Sequence, residues 1–243
     1  MLKCYNHFNM IKISIVFSCT NEAENPFIIE SLRTIKNLGD LFETIIVTNN
    51  QNLNPYLETK LGPAFWQIIL LDNNSRAARL NEGAKKAKGQ LILFHHPRSY
   101  LKVEGYRTLL EQSGWGAFTH CFERRHFLLD FTSWYSNNVR GKIKEIYYLD
   151  HCLFVEKELF EKAGPIPNVE IFEDTLLCDK LNKWAPPTLL PHFAVTSSIR
   201  FSKNGLIKQI VLNQILKIAF LLGANDELMN KIYEKGLNLN SNH

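Results

Sequence analysis

Three short stretches carry most of the chemistry this sequence can offer. His95-His96-Pro97-Arg98-Ser99 follows directly on a short apolar run, and a buried strand that opens into polar residues is where open α/β sheets place their ligand chemistry. The same cluster would also serve as a polar turn between a strand and a helix. Glu173-Asp174 opens a helical pattern that runs to Trp184, where an acidic pair either stabilises the first turn through the helix dipole or supplies a working carboxylate. Asp150 breaks the apolar run over residues 147–155. Arg200 is placed late in the chain and could pair with a phosphate. Trp115 and Trp134 could stack on a ligand, or fill core and rim positions.

The elements that must hold these residues follow from hydrophobic periodicity. Residues 75–88 read as a helix, with Ala77, Leu80, Ala84 and Ala87 at helical spacing and Gly89 expected to end it in a left-handed cap. Residues 90–94 have the composition of a strand buried on both faces. Before them, strands are expected over 12–17, 42–47 and 66–71, and helices over 28–38 and 56–61, with Asn25 capping the first helix and Pro26 in its first turn. The first hundred residues therefore alternate strand and helix, which implies a mostly parallel sheet. Beyond Leu101 the expectations are helices over 103–112, 127–138, 157–163 and 173–184, extended segments over 114–122, 147–155 and 189–196, and helices over 206–222 and 226–235. Residues 236–243 are expected to fray.

Composition narrows the class. A 45% hydrophobic content with 12% aromatics supports a real core and excludes disorder, and a net charge of +4 is too diffuse for a nucleic-acid binder. That charge does suit an anionic substrate or an anionic membrane surface. The five cysteines (Cys4, Cys19, Cys121, Cys152 and Cys178) form no CxxC pair and read as free thiols. No leader-like or membrane-spanning stretch is expected, so the protein is expected in the cytoplasm. Residues 206–222 carry Lys208, Gln209, Asn213, Gln214 and Lys217 and read as an amphipathic helix, either packed on the domain or in peripheral contact with a membrane.

Five segments in order resemble a known family: ISIVFSCTNEAEN (13–25), RAARLNEGAKKAKGQLILFHHPRSYL (76–101), YLDHCLFVEKELFEKAGPIP (148–167), FEDTLLCDKL (172–181) and LLPHFAVTSSIRF (189–201). They are similar to the motifs of family 2 glycosyltransferases of the GT-A fold, and most of all to the bacterial subgroup associated with radical-SAM and selenodomain proteins. The resemblance runs from Lys12 to Tyr233. It implies one α/β domain over 1–204, with a Rossmann-like, mixed and mostly parallel sheet flanked by helices, and a C-terminal helical extension over 205–243 packed on it.

What the resemblance implies for function is transfer of a sugar from a nucleoside-diphosphate sugar, UDP- or GDP-linked, to the hydroxyl of an unknown acceptor. Asp174, Glu173 and Asp150 match the acids from which the family draws its general base. Thr20, Asn21, Glu22, Thr48, Arg76, Asn81, Arg98 and Arg200 match positions around the donor. The family would use Mg or Mn on the diphosphate, but the aspartate of its metal loop is Arg98 here, and the nucleoside-holding aspartate after the second strand is Thr48. His95 and His96 are the nearby metal-capable groups, with His96 the one candidate ligand, and both are soft for such cations. Two readings follow: an inverting, metal-independent transferase, or a catalytically inactive GT-A-fold protein that binds a nucleotide, sugar or partner.

Overall fold

In the computed structural model, which describes residues 11–20, 27–73 and 75–235, strand β1 (Ile13–Cys19) is buried along its whole length. Its apolar side chains alternate between two cores, as the pleat requires. Ile15 and Phe17 pack with α1 (Ile28–Ile35), while Val16 packs with α3 (Arg76–Lys86). Strands β2 (Phe42–Thr48) and β4 (Leu91–His95) flank β1 in parallel register, and β3 (Gln67–Leu70) adds in parallel beyond β2 as a partly exposed edge after helix α2 (Leu53–Leu61). Asn25 and Pro26, the expected cap and first-turn proline of α1, lie outside the described residues.

The second half makes the sheet mixed. After the short β5 (Ser99–Tyr100) and α4 (Val103–Thr108) come β6 (Trp115–Phe122), α5 (Phe127–Tyr135), β7 (Leu153–Glu156), α6 (Lys157–Ala163), α7 (Glu173–Leu181) and β8 (Thr188–Thr196). β7 runs antiparallel to both β4 and β6, and β8 lies parallel to β6 and antiparallel to β5. The result is one eight-stranded sheet in the order β3-β2-β1-β4-β7-β6-β8-β5. Helices α8 (Ile199–Asn204), α9 (Leu206–Leu221) and α10 (Asp226–Lys235) follow, the last two seated through Leu212, Leu216 and Met229 on Ile171.

Several expectations are corrected. The third helix begins after Ser75, whose hydroxyl caps it by accepting the Ala78 N–H at 3.3 Å, and it ends at Lys86. Gly89 does not take a left-handed cap; a Cβ there would lie 2.6 Å from the Ser14 nitrogen, so glycine is required by close approach to β1. His95 belongs to the strand and not to the polar turn. α5 stops at Tyr135 and continues as a π turn (Ser136–Gly141), and α7 stops at Leu181. β5 and α8 were not foreseen, because a two-residue strand and a helix of mixed composition leave no periodic signal. α9 departs from an ordinary amphipathic helix: Gln209, Asn213, Gln214 and Lys217 line a chamber beside the buried Leu216, and Ile207, Val211, Ile215 and Ile218 face outward.

Candidate functional site

The C-terminal end of β4 is tied down before it becomes a site. His95 is buried between Phe17 and Tyr106, and its Nε2 sits 2.8 Å from the Tyr106 hydroxyl while Nδ1 is 3.1 Å from the His96 carbonyl. Burial pushes its pKa down to about 3, so it is a neutral core residue. His96 accepts the Arg98 N–H on Nδ1 at 3.1 Å, and burial followed by the Arg98 charge also holds it neutral.

Three segments converge on this turn. The Ser99 hydroxyl donates to the Asp150 carbonyl at 2.9 Å and meets the Thr196 hydroxyl at 2.8 Å, and the Ser197 N–H donates to the Arg98 carbonyl at 2.9 Å. The short β5–β8 pairing of Ser99 with Thr196 fixes this geometry. Arg98, Asp150 and Arg200 are thereby brought together from three distant parts of the chain.

Two adjoining chambers open around them. The smaller, about 320 Å³, lies at the ends of β1 and β4 and is lined by Ser18, Thr20, Arg76, Arg79, Arg98 and Arg200, among others. The larger, about 540 Å³, lies between β6, α5 and α9 and includes His120, Asp150 and Asp174 in its wall. Arg76, His96, Arg98, Arg200 and Tyr233 line both. Burial first, and then the Arg200 and Arg76 guanidinium groups, press the Arg98 pKa down, which marks the partition as a place where positive charge is crowded. Arg200 lies 4.2 Å from the Tyr233 ring centre, within cation–π range.

The acids divide by task. Glu173 is buried and ion-paired to Arg76, and that charge outweighs burial to keep Arg76 protonated. Glu173 lines neither chamber. Asp174 faces the larger chamber, but it accepts the Leu149 N–H at 3.0 Å and the Thr175 N–H at 2.8 Å, and burial together with the Glu173 charge raises its pKa to about 7. Asp150 lies 3.6 Å from the His120 Nε2, and its Oδ1 is buried with no hydrogen-bond partner. Burial opposes its charge, yet its surroundings hold the carboxyl below the usual range. His151, pushed down to about 3 by burial, and His120, also pushed down by burial, are neutral at pH 7, so Arg140 is the lasting cation beside Asp150.

Both acidic segments carry unusual backbone. Cys152 (φ 55°) follows the turn Leu149–His151, and Phe172 (φ 64°) precedes Glu173, each left-handed without being glycine. Such residues cost on the order of 1 kcal/mol and persist where surrounding structure over-determines them.

Other sequence-derived candidates are placed differently. Asn81 clamps the chain by exchanging two hydrogen bonds of 2.9 Å with the Ile166 backbone, and it lines neither chamber. Thr48 is fully buried and its hydroxyl accepts the Asn50 N–H at 3.0 Å, a local turn that also lies off both chambers. Asn21 and Glu22 lie outside the described residues. Trp115 is core, donating to the Ala185 carbonyl at 2.7 Å, and Trp134 is 53% exposed. Sequence reasoning missed His120, which had no local signal on β6, and Arg79, whose three-residue spacing from Arg76 on α3 was the available clue. Arg79 donates to the Ser18 hydroxyl and the Asn73 carbonyl, both at 2.8 Å.

A divalent cation does not fit the smaller chamber. Among the described residues no group of three His, Cys, Asp or Glu side chains could hold one, and the lining of the smaller chamber sets Arg76, Arg79, Arg98 and Arg200 against the single carboxylate of Glu170. The described cysteines are free.

No protein-family model and no curated protein matches this sequence. Solved structures do resemble it. Residues 1–349 of S. aureus TarS superpose with a TM-score of 0.58 at 16% identity, over 84% of this chain and 65% of that one. The same fragment in complex with UDP-GlcNAc gives 0.55 at 18% identity, over 76% and 58%. The mannosyltransferase PcManGT from Pyrobaculum calidifontis, in complex with GDP-Man and Mn2+, gives 0.59 at 16% identity, over 92% and 68%. The chain thus spans 65% of the TarS fragment. Together these likenesses establish a single α/β domain of the GT-A-like glycosyltransferase fold.

Proposed function

We propose that this protein is a glycosyltransferase that takes a nucleoside-diphosphate sugar in the smaller chamber and an acceptor hydroxyl in the larger one. The observation that carries the reading is the arginine partition: Arg76, Arg98 and Arg200 stand between a chamber at the strand ends and a chamber holding Asp150. TarS and PcManGT, which share the fold, were solved with UDP-GlcNAc and with GDP-Man, so a UDP- or GDP-sugar is the donor class. Guanidinium groups recognise phosphate oxygens bidentately and hold their charge at any working pH.

The chemistry follows from charge. Asp150, ionised and with its side chain 31% exposed at the larger chamber, takes the proton of the acceptor hydroxyl. The acceptor oxygen attacks the anomeric carbon from the face opposite the leaving group, and the bond to the phosphate oxygen breaks. The nucleoside diphosphate leaves with that electron pair, and its charge is met by Arg98 and Arg200. This outcome is inversion. Asp174 anchors the Asp150 turn through the Leu149 N–H, and Glu173 orients Arg76.

The test is a transfer and donor-hydrolysis assay over a panel of UDP- and GDP-sugars, with and without EDTA. Turnover that survives chelation is expected, and turnover abolished by EDTA would contradict the arginine role. The second reading, a protein that binds without transfer, is favoured by the two missing donor-side acids at Arg98 and Thr48. Calorimetry that detects nucleotide-sugar binding without any turnover would support it.

A further inference from the structure

The outward face of α9 is the least explained surface of the molecule. Ile207, Val211, Ile215, Ile218 and Leu222 form a continuous helical stripe, each between 46% and 81% exposed. Gln209, Asn213 and Lys217 of the same helix line the larger chamber beside the buried Leu216, so apolar side chains occupy the face that a helix in water would make polar. α5 repeats the pattern with Phe127, Phe131 and Trp134, exposed by 53% to 73%. Phe131 also lines the larger chamber, which places this second stripe at its mouth. A stable protein rarely leaves so many large apolar side chains of two helices uncovered.

Charge identifies what covers it. Residues 131–144 and 199–225 contain no Asp or Glu, and their exposed charged residues are Lys142, Lys144, Lys203 and Lys208. Of the acids that border these segments, Asp130 pairs with Arg125 at 3.5 Å, Glu123 accepts from Ser197 and Ser198, Asp226 accepts the Glu170 N–H at 3.0 Å, and the half-buried Glu145 follows Lys144. Glu227 is exposed on the following helix. Apolar side chains flanked by an excess of lysines match the interface of an anionic bilayer, where hydrocarbon takes the apolar stripe and headgroup charge takes the lysines. Among the described residues no helix is long and apolar enough to cross a membrane, so the contact is one of surface seating.

We infer that the α5–α9 face docks on an anionic membrane surface and turns the larger chamber toward the lipid headgroups. Resting on the transfer proposed above, this orientation makes the acceptor a hydroxyl-bearing amphiphile anchored in the bilayer. The docking itself does not depend on that transfer.

Flotation of the full chain with phosphatidylcholine vesicles, and with vesicles in which about a third of the lipid is phosphatidylglycerol, tests it. The expected result is flotation with the anionic vesicles only, weakened by salt, with a blue shift of tryptophan emission that the variant Trp134→Phe reduces. The double variant Ile215→Gln with Ile218→Gln should lower the bound fraction about tenfold or more, while circular dichroism and calorimetric UDP binding stay as in the parent. Absence of flotation, or equal flotation with both vesicles, would overturn the proposal. So would a dimer in solution that the double variant dissociates, because a second copy would then be the occupant. UDP binding with no flotation sinks the docking alone, and flotation without UDP binding sinks the transfer alone.

Discussion

Arg76, in the first turn of α3, reaches across to Glu173, the first residue of α7, and ion-pairs with it inside the protein. The pair joins elements 97 residues apart in sequence and splits the adjacent acids by role. Glu173 turns inward and sets the position of a guanidinium that lines both chambers, and Asp174 alone faces the larger one.

Glu173→Gln removes the charge that holds Arg76. Loss of one partner of a buried pair costs about 3–5 kcal/mol when the other stays buried. Arg76 is 35% exposed toward the chambers and can be rehydrated there, so a smaller loss of about 2 kcal/mol is expected. Urea denaturation measures it, and a midpoint unchanged from the parent would refute the structural role of the pair.

Asp174 makes stability depend on pH in a defined window. Its carboxyl is raised to about 7 by burial and by Glu173, whereas an unfolded aspartate titrates near about 3.9. Between those values the folded state holds a proton that the unfolded state has lost, so this group's contribution falls as pH rises from about 4 to about 7 and is flat above. Asp150 runs the other way: its carboxyl is held low, so its contribution is present above the unfolded value and is lost as pH falls. Denaturation of the parent and of Asp174→Asn across pH 4–8 isolates the first effect. The two should diverge by up to about 1.4 kcal/mol per pH unit, and parallel curves would refute it.

Arg98→Ala should weaken UDP or GDP binding about 10- to 100-fold, the worth of a charge-assisted hydrogen bond to phosphate. Arg98→Lys should recover only part, because it keeps the charge and loses the planar fork. Titration calorimetry in EDTA and in manganese separates this from a cation site: the parent should bind equally in both.

Asp150→Asn should lower transfer a hundredfold to ten-thousandfold, roughly the range for a general base, with nucleotide affinity within about twofold of the parent. Asp174→Asn should affect turnover less. The reverse order in a transfer assay would move the base to Asp174.

Gly89→Ala places a Cβ 2.6 Å from the Ser14 nitrogen and 2.8 Å from the Ile13 carbonyl carbon. Both atoms belong to the Ile13–Ser14 peptide of the central strand, which has little room to yield, so a loss of about 1–3 kcal/mol is expected. Thermal unfolding checks it, and an unaltered midpoint would show that the α3–β4 junction can open away from β1.

Periodicity by itself determined the elements. The alternation over the first hundred residues, α6 at 157–163 and α10 at 226–235 follow from local apolar spacing and breaker residues, because those signals act within a few residues of chain. The motif order determined the fold class and pointed to Arg76, Asp150, Asp174 and Arg200. Only the tertiary structure decided which of them share a cavity. It tied Asn81 to the distant Ile166 backbone and Thr48 to a local turn, separated Glu173 from Asp174, and brought in His120 and Arg79. It also turned Gln209, Asn213 and Lys217 of α9 toward the larger chamber, against the reading of an ordinary amphipathic helix. The reason is that a side chain's role depends on partners supplied by distant segments, such as Ser99 bound to Thr196 beneath Asp150. Those pairings leave no trace in local spacing.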